Sequence, residues 1–97
     1  MKKIFDGKKY DTETAERVFF SSHICNACNE LPEREQRNEF YKKKNGEIFS
    51  VHYQKIVETE EIHKDSVDWC FDTDVKYMAE CCMDGDEYEA IFGPVEE

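Results

Sequence analysis

The residues with the clearest capacity for chemistry are cysteines, two of which stand in the segment HICNACNE, residues 23–30. A Cys-x-x-Cys spacing lets one tight turn direct both thiolates at a single ion about 2.3 Å away, so Cys25 and Cys28 can form half of a tetrahedral zinc site. The adjacent pair Cys81 and Cys82 is predicted to supply the other half. Four protein ligands leave no position for water or substrate, so the zinc would be structural.

Two residues are held in reserve as ligands, since adjacent side chains on a helix diverge by about 100°. Cys81 and Cys82 can therefore reach one ion only if their helix frays at its end. His23 and Cys70 are the candidates to complete the shell if one of that pair turns away. The predicted cofactor is zinc, with Cys25 and Cys28 as its first two ligands.

Other interpretations of the thiols stay open. Cys70 and Cys82 can be small buried apolar residues, with Cys25 and Cys28 as incidental surface thiols. A nucleophilic pair of Cys25 and His52 is also open, although no motif supports it. The chain lacks G-x-S-x-G, a phosphate-binding glycine loop and H-E-x-x-H. We therefore expect that the protein is not an enzyme.

The charge is divided unevenly along the chain, whose formal net charge is -10. Residues 1–57 carry 11 Lys and Arg against 9 Asp and Glu, whereas residues 58–97 carry 2 against 14. Negative charge repels a phosphate backbone, so direct nucleic-acid binding is not expected. A basic partner is the natural target, and the alternative is that the acidity only maintains solubility.

The length and composition fit one soluble domain spanning residues 1–97. No apolar run approaches the roughly 18 residues of a membrane span, and the N-terminal segment lacks the apolar stretch of a secretory signal. Five cysteines, an odd number, fit reduced thiols or a metal better than a disulfide framework. We expect a cytoplasmic protein with no membrane partner.

The first half of the chain is predicted to contain two β-hairpins separated by a helix. Asp6-Gly7 and Asn45-Gly46 are turn pairs of the kind that join antiparallel strands. The segment between them begins with DTETAERVFF, in which a capping residue and the apolar spacing of Ala15, Val18 and Phe19 predict a short helix that ends near Phe20. Residues 21–36 are predicted to form a loop, with a helical turn at 33–37.

The second hairpin is predicted to place its apolar side chains on one face. A two-residue turn at Asn45-Gly46 sets Phe40 opposite Val51, so that one side of the sheet carries Phe40, Phe49, Val51 and Tyr53. His52 alternates to the other side of the strand. A short strand is expected at 67–71, with Trp69 and Phe71 pointing one way and Cys70 the other.

Two helices are predicted to close the domain. The first begins at Asp72 or Thr73 and packs one face on the sheet, formed by Val75, Met78, Ala79 and Cys82. The second begins at Asp84 and ends at Gly93-Pro94, with Tyr88, Ile91 and Phe92 as its buried side. The fold class is therefore α+β: two hairpins form a small antiparallel sheet packed by one N-terminal and two C-terminal helices.

Three segments resemble a group of small proteins carried by phages and mobile elements of Gram-positive bacteria. They are KKIFDGKKYDTETAE, EFYKKKNGEIF and DGDEYEAIFG, together 36 of the 97 residues. Some members resemble anti-CRISPR inhibitors of type II RNA-guided DNA nucleases, including a zinc-containing one. The four cysteines of the predicted metal site are outside the shared pattern, and no active-site residues carry over.

The resemblance and the charge together give the leading functional hypothesis. Type II nucleases hold a guide–target duplex in a positively charged channel, so an acidic inhibitor can bind there and block DNA loading or cleavage. The residues predicted to bind this host nuclease are Glu58, Glu60, Glu61, Asp84, Asp86 and Glu87. The alternative is a zinc-stapled regulatory or assembly module of a phage or mobile element with no nuclease target.

Overall fold

The computed structural model describes residues 1–24 and 33–96 in full, and of Cys25 it describes only the backbone. The elements are β1 (Lys2–Phe5), β2 (Lys8–Asp11), β3 (Glu16–Cys25), β4 (Arg34–Lys42), β5 (Ile48–Ile56), a 3₁₀ turn (Lys64–Ser66), β6 (Asp68–Cys70), α1 (Asp72–Cys82) and α2 (Gly85–Phe92). β1 and β2 pair as a separate hairpin, and β3 to β6 form an antiparallel sheet in chain order. The α+β class is confirmed.

The first hairpin forms as the sequence predicts. Asp6 and Gly7 both have positive φ, 50° and 71°, as a type I′ turn requires. Phe5 pairs with Lys8 next to the turn, and Lys2 pairs with Asp11 at the open end.

The predicted N-terminal helix is wrong, because its residues form a turn followed by β3. Asp11 begins as a helix cap would: its side chain accepts a hydrogen bond from the Glu13 N–H at 2.9 Å, and its carbonyl accepts one from the Ala15 N–H at 3.1 Å. This single turn is not continued. From Glu16 the chain pairs with β4, with a bulge between Arg17 and Phe19. Strand pairing has therefore overridden the helical spacing of the apolar residues.

The loop predicted for residues 21–36 is also shorter than expected. β3 extends to Cys25, and β4 begins at Arg34, where a helical turn was predicted. Only the part of that prediction that falls on residues 26–32 lies outside the described residues.

The second hairpin turns at the predicted place but with a three-residue loop. The Lys43 N–H donates to the Glu47 carbonyl at 2.8 Å, and the Gly46 N–H donates to the Lys43 carbonyl at 2.9 Å. Gly46 has φ 91°, the left-handed position that such a loop needs at its last residue.

The extra loop residue shifts the register by one, so the predicted common face is wrong for Phe40. Phe40 pairs with Ser50, and Val51 pairs with Glu39. A one-residue shift moves a side chain to the opposite face of a sheet. Phe49 and Val51 share one face as predicted, whereas Phe40 lies on the other.

The sheet is consequently buried on both faces. The first hairpin covers one face, where the buried cluster contains Tyr10, Tyr41, Phe49, Val51, Tyr53 and Phe71. The helices cover the other, where the cluster contains Phe40, Cys70, Val75, Ala79 and Met83. Trp69 and Phe71 join the first cluster and Cys70 the second, which confirms the predicted alternation of this short strand.

The two C-terminal helices are where the sequence places them. The predicted inward residues of α1 all pack in the second cluster, as do Tyr88, Ile91 and Phe92 of α2. α2 begins with a capping box, in which Asp84 accepts from the Glu87 N–H at 2.8 Å and the Glu87 carboxylate accepts from the Asp84 N–H at 3.0 Å. In the described residues, neither helix has the length and apolar character needed to cross a membrane.

Candidate interaction surface

The described acidic residues of the second half, together called the acidic surface, are exposed and lie on several elements. The residues concerned are Glu58, Glu60, Glu61, Asp65, Asp68, Asp72, Asp74, Glu80, Asp84, Asp86, Glu87, Glu89 and Glu96, and all are exposed. Within the described residues, none of them lies within salt-bridge distance of a basic side chain. Their charge is therefore available to an external partner.

Several acidic residues of the first half form ion pairs, unlike those of the second half. Asp11 lies 4.0 Å from Lys9, and Glu47 lies 3.3 Å from Lys43. Glu39 is paired with Arg37 at 3.2 Å. Ion pairing thus involves four acids of this half, including Glu35, whereas its other described acids form no salt bridge.

The six predicted partner-binding residues lie on two separate elements. Glu58, Glu60 and Glu61 occupy the turn that follows β5, whereas Asp84, Asp86 and Glu87 begin α2. Asp84 and Glu87 also hold the capping box, while Asp86 has no side-chain hydrogen bond in the described residues. Only Asp86 of that triplet is thus free of a structural role.

Two further acids that the sequence analysis did not single out lie close to the start of α2. Glu80 and Glu89 line the same cavity of about 290 Å³ as Asp84, between the end of α1 and α2. Its walls also include Met83, Tyr88, Gly85 and Val95. The cavity therefore combines an apolar wall with carboxylates at its rim, a combination suited to the alkyl stem and charged head of a lysine or arginine side chain.

As far as they are described, the predicted zinc ligands lie at the end of β3 and at the end of α1. Cys81 is exposed and Cys82 is partly buried at the end of α1. Burial, and then the neighbouring Cys81, raise the pKa of Cys82. Cys25 ends β3 opposite Arg34, and Cys28 is outside the described residues. Within residues 1–25 and 33–96 no group of three or more His, Cys, Asp or Glu residues is arranged to hold a metal, and the zinc site stays a prediction.

The two reserve ligands lie at opposite edges of the sheet. His23 is exposed on β3, and Cys70 is buried on β6. Three strand spacings of about 4.8 Å separate these strands, so the two side chains cannot share one ion. Burial raises the pKa of the Cys70 thiol, while a hydrogen bond with Ser50 lowers it.

A buried polar chain on the helix-covered face was not expected from the sequence, which placed His52 away from the buried side of its strand. His52 Nε2 lies 2.8 Å from Ser50 Oγ, and Nδ1 lies 2.8 Å from Asn38 Oδ1. The Asn38 amide nitrogen donates to Ser21 Oγ at 3.3 Å. Burial lowers the pKa of His52, and the nearby Asp68 carboxylate raises it less.

The order Asn38, His52 and Ser50 matches the connectivity of a hydrolytic triad, in which a histidine activates a hydroxyl. Ser50, however, is completely buried, at 0% exposure. A nucleophile must come within bonding distance of a substrate, which this position does not allow. The chain of hydrogen bonds therefore satisfies polar groups inside the core.

A second buried group, also missed from the sequence, lies on the face covered by the first hairpin. Glu39, 4% exposed, accepts hydrogen bonds from the hydroxyls of Tyr41 at 2.8 Å and Tyr53 at 3.1 Å. Burial raises the pKa of both tyrosines, as does the Glu39 carboxylate. Arg17 lies 3.6 Å from the Glu39 carboxylate. The negative charge of Glu39 is therefore compensated by a basic group as well as by the two hydroxyls.

No family model, curated protein or solved structure matches this chain. The geometry of its exposed and buried groups is therefore the basis for a functional proposal.

Proposed function

We propose that this protein is an anti-CRISPR inhibitor that binds a type II RNA-guided DNA nuclease through its acidic surface and blocks loading or cleavage of target DNA. The observation that carries the proposal is the exposed set of carboxylates after residue 57, which have no ion-pair partner among the described residues. A type II nuclease offers a positively charged channel for its heteroduplex, which is the complementary surface.

Unpaired carboxylates suit this role for an energetic reason. A carboxylate that is already paired must lose its internal partner before it can serve another protein, whereas a free one loses only solvent. Complementary charge also accelerates the encounter of two proteins and makes the rate depend on salt. The acidic surface would thus speed association with a basic channel most strongly at low ionic strength.

The cavity between α1 and α2 gives this surface a specific contact point. A partner lysine or arginine can lay its stem against Met83 and Tyr88 while its charge meets Glu80 and Glu89. The stem would bury apolar surface, whereas the ion pair with the exposed carboxylates would add at most about 1 kcal/mol.

The test is an in vitro DNA cleavage assay with a purified type II nuclease, its guide RNA and increasing amounts of this protein. The first variant carries Asp84→Asn, Asp86→Asn and Glu87→Gln, because Asn and Gln preserve the capping box while removing three charges. The second carries Glu58→Gln, Glu60→Gln and Glu61→Gln. We expect each triple variant to inhibit at least tenfold more weakly.

A matched control removes the same number of charges elsewhere. Glu13, Glu16 and Glu33 are exposed and form no described salt bridge, so their replacement by Gln tests charge number alone. Inhibition should be kept in this control. If wild-type protein does not inhibit, and a host lysate yields regulatory or assembly proteins of the phage instead, the alternative function is supported.

We further propose that zinc bound by Cys25, Cys28, Cys81 and Cys82 staples the fold. Metal binding to thiolates is coupled to folding in small domains, so loss of two ligands should release the metal and reduce stability. Elemental analysis of protein purified without a metal-affinity tag should find one zinc per chain, absent from the Cys25→Ser/Cys28→Ser variant. A well-folded wild-type protein without zinc would disprove this part of the proposal.

A further inference from the structure

Among the described strands, β3 has a free outer edge. β3 is the first strand in the sheet order, and among the described residues β4 is the only strand paired with it. Residues 19–24 read FFSSHI and contain no lysine, proline or acidic residue. Proteins commonly use such residues, or a bulge, to prevent pairing at an edge. The bulge of β3 lies before this stretch, between Arg17 and Phe19, so the stretch itself is unprotected.

Exposed apolar side chains border this edge. Phe20 is 37% exposed and Ile24 is 52% exposed, and their spacing of four residues puts them on one face of the strand. Ile24 also lines a cavity with Val57, which is 39% exposed. A partner strand added at this edge would therefore cover apolar surface as well as backbone groups.

We propose that two copies of this chain pair through β3, antiparallel, around a two-fold axis at Ser22. In this register Phe20 lies opposite Ile24 of the second copy, and the same contact occurs twice by symmetry. The small Ser22 side chain meets its own copy at the axis. A register centred on Ser21 would set Phe20 opposite Ser22 and leave Ile24 opposite Val18, so the exposed pair would not meet.

The charge distribution permits this contact despite the net charge of each chain. β3 carries one acidic and one basic residue, Glu16 and Arg17. The helix α1 packs against β5 and β6, at the other edge of the sheet. Three strand spacings, about 14 Å, separate β3 from β6, which exceeds the Debye length of about 8 Å at physiological salt. Repulsion from the acidic residues of α1 is therefore weak at the proposed interface. Glu35 and Glu60 line the cavity beside Ile24, but Arg37 and Lys55 line it as well, so the charge next to Ile24 is balanced.

Sedimentation velocity of the full chain, over a hundredfold range of concentration that reaches about 100 μM, tests the proposal. We expect a reversible equilibrium between monomer and dimer. Ile24→Lys should weaken dimerisation at least tenfold, because a lysine at an edge opposes pairing. The control is Ile4→Lys, since Ile4 is equally apolar, 63% exposed and on β1. It should leave the dimer unchanged, and circular dichroism should show folded protein in both.

A charge-exchange experiment tests the register itself. Phe20→Glu and Ile24→Lys should each reduce self-association, whereas an equal mixture should form heterodimers, because the carboxylate introduced in one copy would face the ammonium group introduced in the other. If Ile24→Lys fails to fold, Ser22→Lys replaces it as the dissociating variant, because two ammonium groups would meet at the axis. A monomeric wild type at every concentration, equal effects of Ile24→Lys and Ile4→Lys, or a mixture without heterodimers would each overturn the proposal.

Discussion

At the scale of single residues, the main features of this protein are two buried polar groups that the sequence gives little sign of. His52 and Glu39 lie on neighbouring strands, on opposite faces of a sheet that is covered on both sides. Period-two alternation predicts that such residues face solvent, and this holds only when one face of a sheet is exposed. The sequence does contain one indication that Glu39 is buried. Arg37 and Tyr41 lie two positions before and after it, so on a strand both can bond to its carboxylate.

His52 should make the protein less stable in mild acid. Its pKa is lowered in the folded state, so the unfolded chain, with a histidine pKa of about 6.5, binds the proton first. The stabilisation from neutral His52 is therefore complete above about pH 6.5 and is lost as the pH falls through the lower folded pKa. The free energy of unfolding in urea should fall by up to about 1.4 kcal/mol per pH unit in this window.

The control separates His52 from the other titrating groups. His52→Gln should be less stable at neutral pH and should lose the steep part of the pH dependence, whereas His23→Gln should keep it because His23 is exposed. An unchanged pH profile in His52→Gln would contradict the assignment.

Glu39 should be among the most costly acids to neutralise. Glu39→Gln keeps the shape of the side chain but removes its negative charge. The hydroxyls of Tyr41 and Tyr53 and the guanidinium of Arg37 all bind to that charge. Hydrogen bonds to a charged group are stronger than neutral ones, so we expect a loss of about 2 to 3 kcal/mol in urea unfolding.

Glu35 provides the comparison, since it also pairs with Arg37, at 2.8 Å, but is more exposed. Glu35→Gln should cost less than about 1 kcal/mol, as is usual for pairs near the surface. Equal losses in the two variants would show that Glu39 is solvated in the folded protein.

At the scale of elements, α2 could be predicted from the sequence and β3 could not. α2 has local signals at both ends, with the Asp84 cap at the start and Gly93, at φ 94°, after the last turn. The residues at the start of β3 have the apolar spacing of a helix. The strand that pairs with β3 is β4, and the sequence between them shows no regular apolar pattern that would predict this pairing. The capping residue Asp11 was recognised correctly and serves a single turn instead.

Two glycines should respond in opposite directions to alanine. Gly46 has φ 91°, a conformation that costs an alanine roughly 1 to 2 kcal/mol, although a Cβ there would meet no neighbouring atom. Gly85 is at the start of α2 with open space around it, so Gly85→Ala should stabilise by about 0.5 to 1 kcal/mol. Thermal unfolding of both variants checks the signs. Destabilisation by Gly85→Ala would mean that α2 needs a different backbone at its first residue.

The capping box should account for part of the stability of α2. Asp84→Ala removes the acceptor for the Glu87 N–H and should cost about 1 kcal/mol. Asp84→Asn should restore most of it, because Asn is as good a cap as Asp. Asp86→Ala, which removes no side-chain hydrogen bond in the described residues, serves as the control. The free energy of unfolding in urea distinguishes capping from charge, and equal losses in the two alanine variants would contradict the capping role.

At the scale of the whole molecule, all ion pairs of the described residues lie in the first half of the chain, whereas the described carboxylates of the second half form none. The count of charges predicts the imbalance, since it needs only the sequence. Which acids pair across strands depends on strand register, as for Glu39 and Arg17, and could not be predicted from that count. The shared cavity of Glu80 and Glu89 likewise depends on how α1 meets α2.

The unpaired carboxylates of the second half should make the stability of the protein rise with salt concentration. A fold held by surface ion pairs would instead lose stability. Exposed carboxylates on the helices repel one another, and raising the ionic strength from about 0.01 M to 0.15 M shortens the Debye length from about 30 Å to about 8 Å. The buried pair of Glu39 and Arg37 is screened much less. If the relief is about 1 kcal/mol, the melting temperature should rise by roughly 4 to 8 °C for a domain of this size.

The triple variant Glu80→Gln/Asp86→Asn/Glu89→Gln should show a smaller salt effect and a higher melting temperature at low salt than wild type. It leaves the capping box intact, so the gain reflects charge alone. The variant Glu13→Gln/Glu16→Gln/Glu33→Gln removes the same number of charges from the half with balanced charge and should change the salt dependence less. A melting temperature that falls with salt, or equal effects in the two variants, would mean that repulsion is not concentrated on the helices. The electrostatic repulsion at the acidic surface would then not differ from that in the rest of the molecule.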